Sequence, residues 1–150
     1  MIRILFVCHG NICRSPMAEF VMKDLVEKAG LEGEFEIASS AVSTEELGNR
    51  VYPPARDMLA AHGISCKGKH AELLSRRDYD EYDLIVAMDR SNLRNIDRII
   101  GSDPEGKVHL LLEYANRTDS VADPWYTGDF QTAFDDILEG CEALLEYLTK

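Results

Sequence analysis

Apolar and polar residues follow one another in blocks along this chain, and the period of each block predicts an element. Met1-Ile2-Arg3-Ile4-Leu5-Phe6-Val7 is an almost unbroken apolar run, which reads as a buried parallel strand. Met17, Phe20, Val21, Leu25, Val26 and Ala29 then recur at helical spacing. Ser15 suits the N-cap of that helix, Pro16 its first position, and Gly30 its stop. Phe35 to Ser39 reads as a second strand, and Ser40 to Asn49 as a polar loop. Pro53 and Pro54 open a helix through Ala55, Met58, Leu59 and Ala61, which Gly63 ends. A loop through Lys67-Gly68-Lys69-His70 leads to a short helix near Leu73-Leu74. Asp83 to Met88 is a strong buried strand, followed by a helix from Ser91 to Ile100 that Gly101 closes. Leu93, Ile96, Ile99 and Ile100 face inward on that helix, and Val108 to Leu111 supplies a fourth strand. The last helix, capped by Asp129 or a neighbour, carries Phe130, Phe134, Ile137, Leu138, Cys141, Leu144, Leu145 and Leu148 on one face. Strands alternating with helices predict an α/β fold, one domain over residues 1–150, with a four-stranded, mostly parallel sheet and helices on both faces.

The junction of the first strand and the first helix carries chemistry. It reads Val7-Cys8-His9-Gly10-Asn11-Ile12-Cys13-Arg14-Ser15-Pro16. A helix N-terminus presents unpaired N–H groups and the positive end of a dipole, which favours anions. Gly10 can take the positive φ that a tight anion-cradling loop needs. Arg14 offers a fork that matches two phosphate oxygens. Cys8, in the same electropositive spot, is expected to be a thiolate nucleophile aimed at phosphorus. The bland alternative is a structural turn with a buried cysteine. In an open α/β sheet, ligands bind outside the carboxyl ends of the strands, where Cys8 would lie.

Charge and cysteine usage narrow the function. A formal net charge of −11 argues against nucleic acid as a partner, because phosphate backbones need a basic stripe. No apolar run approaches the roughly 20 residues of a membrane span. No basic-apolar-small leader precedes the first strand, so no signal peptide and a cytoplasmic location are expected. Cys8, Cys13, Cys66 and Cys141 show neither zinc-site spacing nor a disulfide framework. Cys141 falls on the apolar face of the last helix, and no metal or cofactor is expected.

A phosphate monoester also needs a proton for its leaving oxygen. Asp123 is the candidate, in Val121-Ala122-Asp123-Pro124-Trp125-Tyr126-Thr127-Gly128. Trp125 and Tyr126 could wall a slot for a flat aromatic group. The alternative is a Pro-Gly turn with an exposed carboxylate, a commoner use of Asp-Pro.

Cys8-His9-Gly10-Asn11-Ile12-Cys13-Arg14-Ser15-Pro16-Met17-Ala18-Glu19 resembles the signature of the low-molecular-weight protein tyrosine phosphatases. The Asp-Pro-aromatic-aromatic segment at Asp123 resembles that family's acid loop. The resemblance implies a fold of the Rossmann or flavodoxin-like kind and hydrolysis of phosphotyrosine and aryl phosphates through a phosphocysteine. Cys8 would be the nucleophile, and Arg14 with the N–H groups of the loop from His9 to Ser15 would bind phosphate. Asp123 would be acid and then base. Ser15 would support the thiolate, Asn11 would hold the loop's shape, and Ser40 matches a family serine that supports Asn11. Ile12, Trp125 and Tyr126 would line the substrate slot. Phosphotyrosine-containing proteins would be the substrates, and inorganic phosphate and similar oxyanions inhibitors. His9 falls at a variable position on the rim. Asp89, in Met88-Asp89-Arg90-Ser91-Asn92-Leu93, matches a motif that supports the site and a helix start. Cys13 is either the partner of Cys8 in a reversible, protective disulfide or a buried structural thiol.

The segment Ser43 to Asn49 departs from eukaryotic relatives: it is shorter and lacks their aromatic wall. Glu45 or Glu46 there would disfavour acidic phosphopeptides. Three rivals stand beside this reading. Phosphoarginine hydrolysis goes with a small hydroxyl residue where this chain has Ile12. Arsenate reduction needs a further cysteine pair, and none lies between Cys66 and Cys141. A non-catalytic phosphotyrosine-binding module would not need Cys8, Arg14 and Asp123 together.

Overall fold

In the computed structural model, which describes residues 1–150, all four expected strands join one parallel sheet. They are β1 (Ile2–Cys8), β2 (Phe35–Ala41), β3 (Leu84–Ala87) and β4 (Val108–Leu110), in spatial order β2-β1-β3-β4. The helices are α1 (Arg14–Lys28), α2 (Pro53–Ala61), α3 (Arg76–Glu81), α4 (Arg90–Ile100), α5 (Pro124–Thr127) and α6 (Phe130–Thr149). The arrangement is Rossmann/flavodoxin-like. The chain leaves β1 for β2 on one side and returns to β3 on the other, so the strand order reverses at β1. The carboxyl end of β1 therefore opens into the crevice where such folds bind ligands, and Cys8 is its last residue.

The two-residue period of β1 divides the core. Ile4, Phe6 and Cys8 face one cluster with Met17, Val21 and Met22 of α1 and Phe134, Ile137, Cys141 and Leu144 of α6. Leu5 and Val7 face the other, with Ile85 and Ala87 of β3 and Ile96 and Ile100 of α4. Helices on both faces explain why β1 reads as a continuous apolar run rather than an alternating one. Each of these fully buried aliphatic or aromatic side chains contributes roughly 1.5–3 kcal/mol.

Several boundaries differ from expectation. Helix α1 begins at Arg14 after an N-cap at Cys13, so Ser15 and Pro16 lie inside its first turn. Ser15 does not cap because its hydroxyl is engaged by Cys8 and Asn11. Ala29 is an exposed C-cap rather than a core position. Leu73 and Leu74 are extended, not helical. Leu73 bridges to Ala41, and Leu74 N–H donates to the Ala41 carbonyl at 2.8 Å, covering the outer edge of β2. Helix α3 starts only after Ser75, whose N–H is held by Asp78 Oδ2 at 2.9 Å. β4 ends at Leu110, and Leu111–Ala115 turns into a 3₁₀ helix beneath α6. Gly140 permits that contact, since a Cβ there would lie 2.5 Å from Leu111 Cγ. Asp129 caps α6 as expected, accepting from Thr132 N–H at 2.9 Å.

Candidate active site

Cys8 is 3% exposed at the end of β1, and the loop after it folds back so that α1 begins beside its sulfur. Cys8 Sγ lies 2.9 Å from Ser15 Oγ and accepts the Ser15 N–H at 3.4 Å. Between them, the backbone N–H groups of His9, Gly10, Asn11, Ile12 and Cys13 donate to no other group of the protein. Free donors around a helix N-terminus form an anion cradle with a thiol at its base. The positive φ that the loop requires falls on Asn11, at 60°, and not on Gly10. Asparagine is one of the few residues that tolerates this region. At Gly10 a Cβ would sit 3.3 Å from Glu46 Cγ, a tight approach to the rim side chain.

Asn11 is held from three sides. Its Nδ2 donates to Ser15 Oγ at 2.8 Å and Ser39 Oγ at 2.9 Å, and its Oδ1 accepts Glu72 N–H at 3.1 Å. The supporting serine is therefore Ser39, not Ser40. Ser39 pairs with Phe6 in the sheet register and Ser40 with Val7. The two-residue alternation thus points Ser39 toward α1 and Ser40 to the opposite face. Ser39 Oγ in turn donates to Glu19 Oε1 at 2.6 Å. Glu19 is buried and balanced by Lys23 Nζ at 2.6 Å and Lys69 Nζ at 3.7 Å. Sequence reasoning quoted Glu19 within the signature but missed this role; its position one turn after Ser15 on α1 was the available signal.

Arg14 is buried, with its side chain 3% exposed. Nη1 donates to Asp89 Oδ2 at 2.7 Å and to the Val121 carbonyl at 2.9 Å, and Nη2 donates to Asp123 Oδ2 at 3.3 Å. Burial opposes its charge, but Cys8, Asp123 and Asp89 outweigh that and raise its affinity for the proton. Asp89 also caps α4, accepting Asn92 N–H at 2.8 Å, so it serves both the site and the helix start as expected. Asp123 caps the short helix α5, accepting Trp125 N–H at 3.0 Å.

These groups enclose a cleft of about 90 Å³. Cys8, Cys13 and Arg14 reach it from the loop, Ile12, Trp125 and Tyr126 wall it, and Asp123 stands at its edge. His9, Glu45 and Glu46 form the rim, with His9 Nε2 3.3 Å from Glu45 Oε2. Trp125 is half exposed and leans on Tyr52, ring centroids 4.9 Å apart, while Tyr126 is 84% exposed. Tyr52 was missed, although an aromatic residue just before Pro53-Pro54 was visible as a candidate for packing.

Cys13 is buried beside Cys8; burial first, then the charge of Cys8 and Asp123, push its thiol from 9.0 up to about 12. Burial likewise raises Cys66 and Cys141. All four cysteines are free thiols. His62 forms the C-cap of α2 and stacks on Phe134 with centroids 4.2 Å apart. His70 and His109 contact the carbonyls of Gly68 and Gly106, outside the site. No group of three or more His, Cys, Asp or Glu is arranged to hold a metal ion. No helix is long and apolar enough to cross a membrane.

The profile described as "Low molecular weight phosphotyrosine protein phosphatase" matches residues 3–150. The low molecular weight protein-tyrosine-phosphatase YfkJ of Bacillus subtilis is 40% identical, covering 100% of this chain and 97% of its own. Its crystal structure superposes with a TM-score of 0.95 over 99% of this chain and 94% of that one. A low molecular weight phosphotyrosine protein phosphatase of Schizosaccharomyces pombe is 48% identical, covering 85% of this chain and 83% of its own. The crystal structure of DARP, the drosophila arginine phosphatase, superposes with a TM-score of 0.91 at 30% identity, covering 99% of each chain.

Proposed function

The chain belongs to the low-molecular-weight phosphotyrosine protein phosphatase family, and we propose that it hydrolyses phosphotyrosine monoesters through a phosphocysteine on Cys8. The observation that carries this reading is the row of free N–H groups from His9 to Cys13 around the Cys8 sulfur. Phosphate oxygens accept from these groups and from the Arg14 fork, which places phosphorus over Cys8. The thiolate attacks in line, the phosphorus–oxygen bond to the tyrosyl ring breaks, and Asp123 gives its proton to the departing phenolate. Asp123 then takes a proton from the water that attacks phosphorus, the sulfur–phosphorus bond breaks, and phosphate leaves. Ser15 Oγ, 2.9 Å from the sulfur, stabilises the departing thiolate. Arg14 and the loop N–H groups supply the positive charge for both steps.

Ile12, Trp125 and Tyr126 favour a flat apolar ring in the slot. An apolar branched side chain at Ile12 gives a guanidinium no acceptor, which supports phosphotyrosine over phosphoarginine. Glu45 and Glu46 on the rim disfavour acidic peptides, and inorganic phosphate and similar oxyanions compete for the loop. A cytoplasmic setting fits a chain with four free thiols and a cysteine nucleophile.

Cys13 lines the same cleft as Cys8. Peroxide oxidises the Cys8 thiolate to a sulfenic acid, releasing hydroxide. The Cys13 sulfur then attacks the Cys8 sulfur, the sulfur–oxygen bond breaks, and the hydroxyl leaves as water with the Cys13 proton.

The test is phosphate release from a phosphotyrosine peptide with EDTA present, comparing wild type with Cys8→Ser and with phosphoarginine as a parallel substrate. Release that persists in EDTA and vanishes in Cys8→Ser supports the reading. Turnover of phosphoarginine alone, or binding without turnover, overturns it.

A further inference from the structure

A second and larger cleft, of about 660 Å³, opens beside α2 and shares no lining residue with the first. Its charge is unlike the rest of the molecule. The chain has 27 Asp and Glu against 16 Lys and Arg, yet this cleft is lined by Arg50, Arg56, Lys67, Lys69 and His70 and by no carboxylate. Charges of one sign gathered in a concavity focus their field and raise the local concentration of counter-ions.

These cations are largely uncommitted. Arg50 and Lys67 take part in no ion pair, and Arg56 pairs only with its exposed neighbour Asp57, at 3.1 Å. Lys69 is the exception and the anchor. Its side chain is 9% exposed, its Nζ donates to the Ser39 carbonyl at 2.8 Å, and Glu19 lies 3.7 Å away. Lys69 thereby joins this cleft to the Glu19–Ser39–Asn11 network that shapes the phosphate loop.

The forks of Arg50 and Arg56 with the ammonium of Lys67 suit phosphate better than any other common anion. Their number calls for more than one anionic group. The size of the cleft, with Val51 and Ile64 on its wall, leaves room for an organic body. We propose that this cleft is a second anion site that takes a small organic molecule carrying two or more phosphate groups.

Isothermal titration calorimetry of the full chain tests this with adenosine diphosphate and fructose 1,6-bisphosphate as probes. Saturating benzylphosphonate keeps the Cys8 loop occupied. One of the probes is expected to bind at a single site under these conditions. Arg50→Glu combined with Lys67→Glu is expected to weaken that binding by at least about tenfold, because two charge-assisted contacts become repulsions. Both residues are exposed, so the variant should fold and keep its turnover of a small aryl phosphate. The proposal is overturned if neither probe binds once benzylphosphonate is present. It is equally overturned if the double variant binds as wild type does. None of these outcomes depends on what the Cys8 site hydrolyses.

Discussion

Arg14 donates through Nη2 to Asp123 Oδ2 at 3.3 Å, across 109 residues of chain. The residue proposed to hold phosphate and the residue proposed to protonate the leaving group thus hold one another. An anion held by the Arg14 fork comes to lie beside this carboxylate. Asp123→Asn is therefore expected to act in two directions. Turnover should fall by about 10²–10⁴, the usual worth of a general acid. Affinity for inorganic phosphate or vanadate should hold or rise, because a negative charge beside the anion has gone. Inhibition constants and kcat measured on the same preparation check this. Weaker oxyanion binding together with normal turnover would contradict both roles.

Asp89 has one oxygen on Arg14 and the other on the Asn92 N–H. Asp89→Asn keeps a good cap but loses the charge facing the guanidinium, whereas Asp89→Ala loses both. Asp89→Asn should lose kcat/KM and some stability, because the buried Arg14 guanidinium loses a charge partner. Asp89→Ala should share both losses and give up about 0.5–2 kcal/mol more with the cap. Thermal denaturation with steady-state kinetics separates the two effects.

Ser39→Ala and Ser40→Ala make a matched pair. Ser39→Ala leaves Asn11 Nδ2 and the buried Glu19 carboxylate each short of a partner, at a cost of about 1–3 kcal/mol. Because Asn11 sits at a positive φ, the phosphate loop loosens and turnover should fall with stability. Ser40→Ala, on the other face of β2, should change turnover little.

That pair also shows where sequence reading reached and where it stopped. Cys8, Arg14 and the loop between them were legible because strand, loop and helix are contiguous and each has its own period. The charge partners of Arg14 were less so, since Asp89 and Asp123 arrive from distant crossovers. The choice of Ser39 over Ser40 turns on a single residue of register, which one polar strand end does not reveal. Leu73-Leu74 carry the apolarity of a helix but serve to cover a strand edge, a tertiary demand invisible locally. Tyr52 meets Trp125 only because α2 and α5 converge at the cleft.

The buried thiol of Cys13 and phenol of Tyr114 predict an alkaline weakness. Burial raises Cys13 from 9.0 to about 12 and Tyr114 from 10.0 to about 12. Between the unfolded and folded values the native state holds protons that the unfolded chain has released, so stability falls as pH rises. Their contribution is complete below about pH 9 and lost as pH approaches about 12. Cys13→Ser should flatten this decline in urea-denaturation midpoints taken across that range. An identical slope in the variant would place the loss elsewhere.

Cys13→Ser also tests the protective disulfide. After peroxide and then thiol treatment, wild type should regain activity and the variant should recover much less. Equal recovery would leave Cys13 as a packed thiol.

Both halves of the proposed reaction pass through the covalent step at Cys8. Acid quenching during turnover of an aryl phosphate, followed by mass spectrometry of the peptides, reads it directly. One phosphoryl group is expected on the peptide containing Cys8, absent in Cys8→Ser and enriched in Ser15→Ala, whose Cys8 thiolate leaves more slowly. Full turnover with no phosphorylated Cys8, or with phosphate on His9 instead, would contradict it.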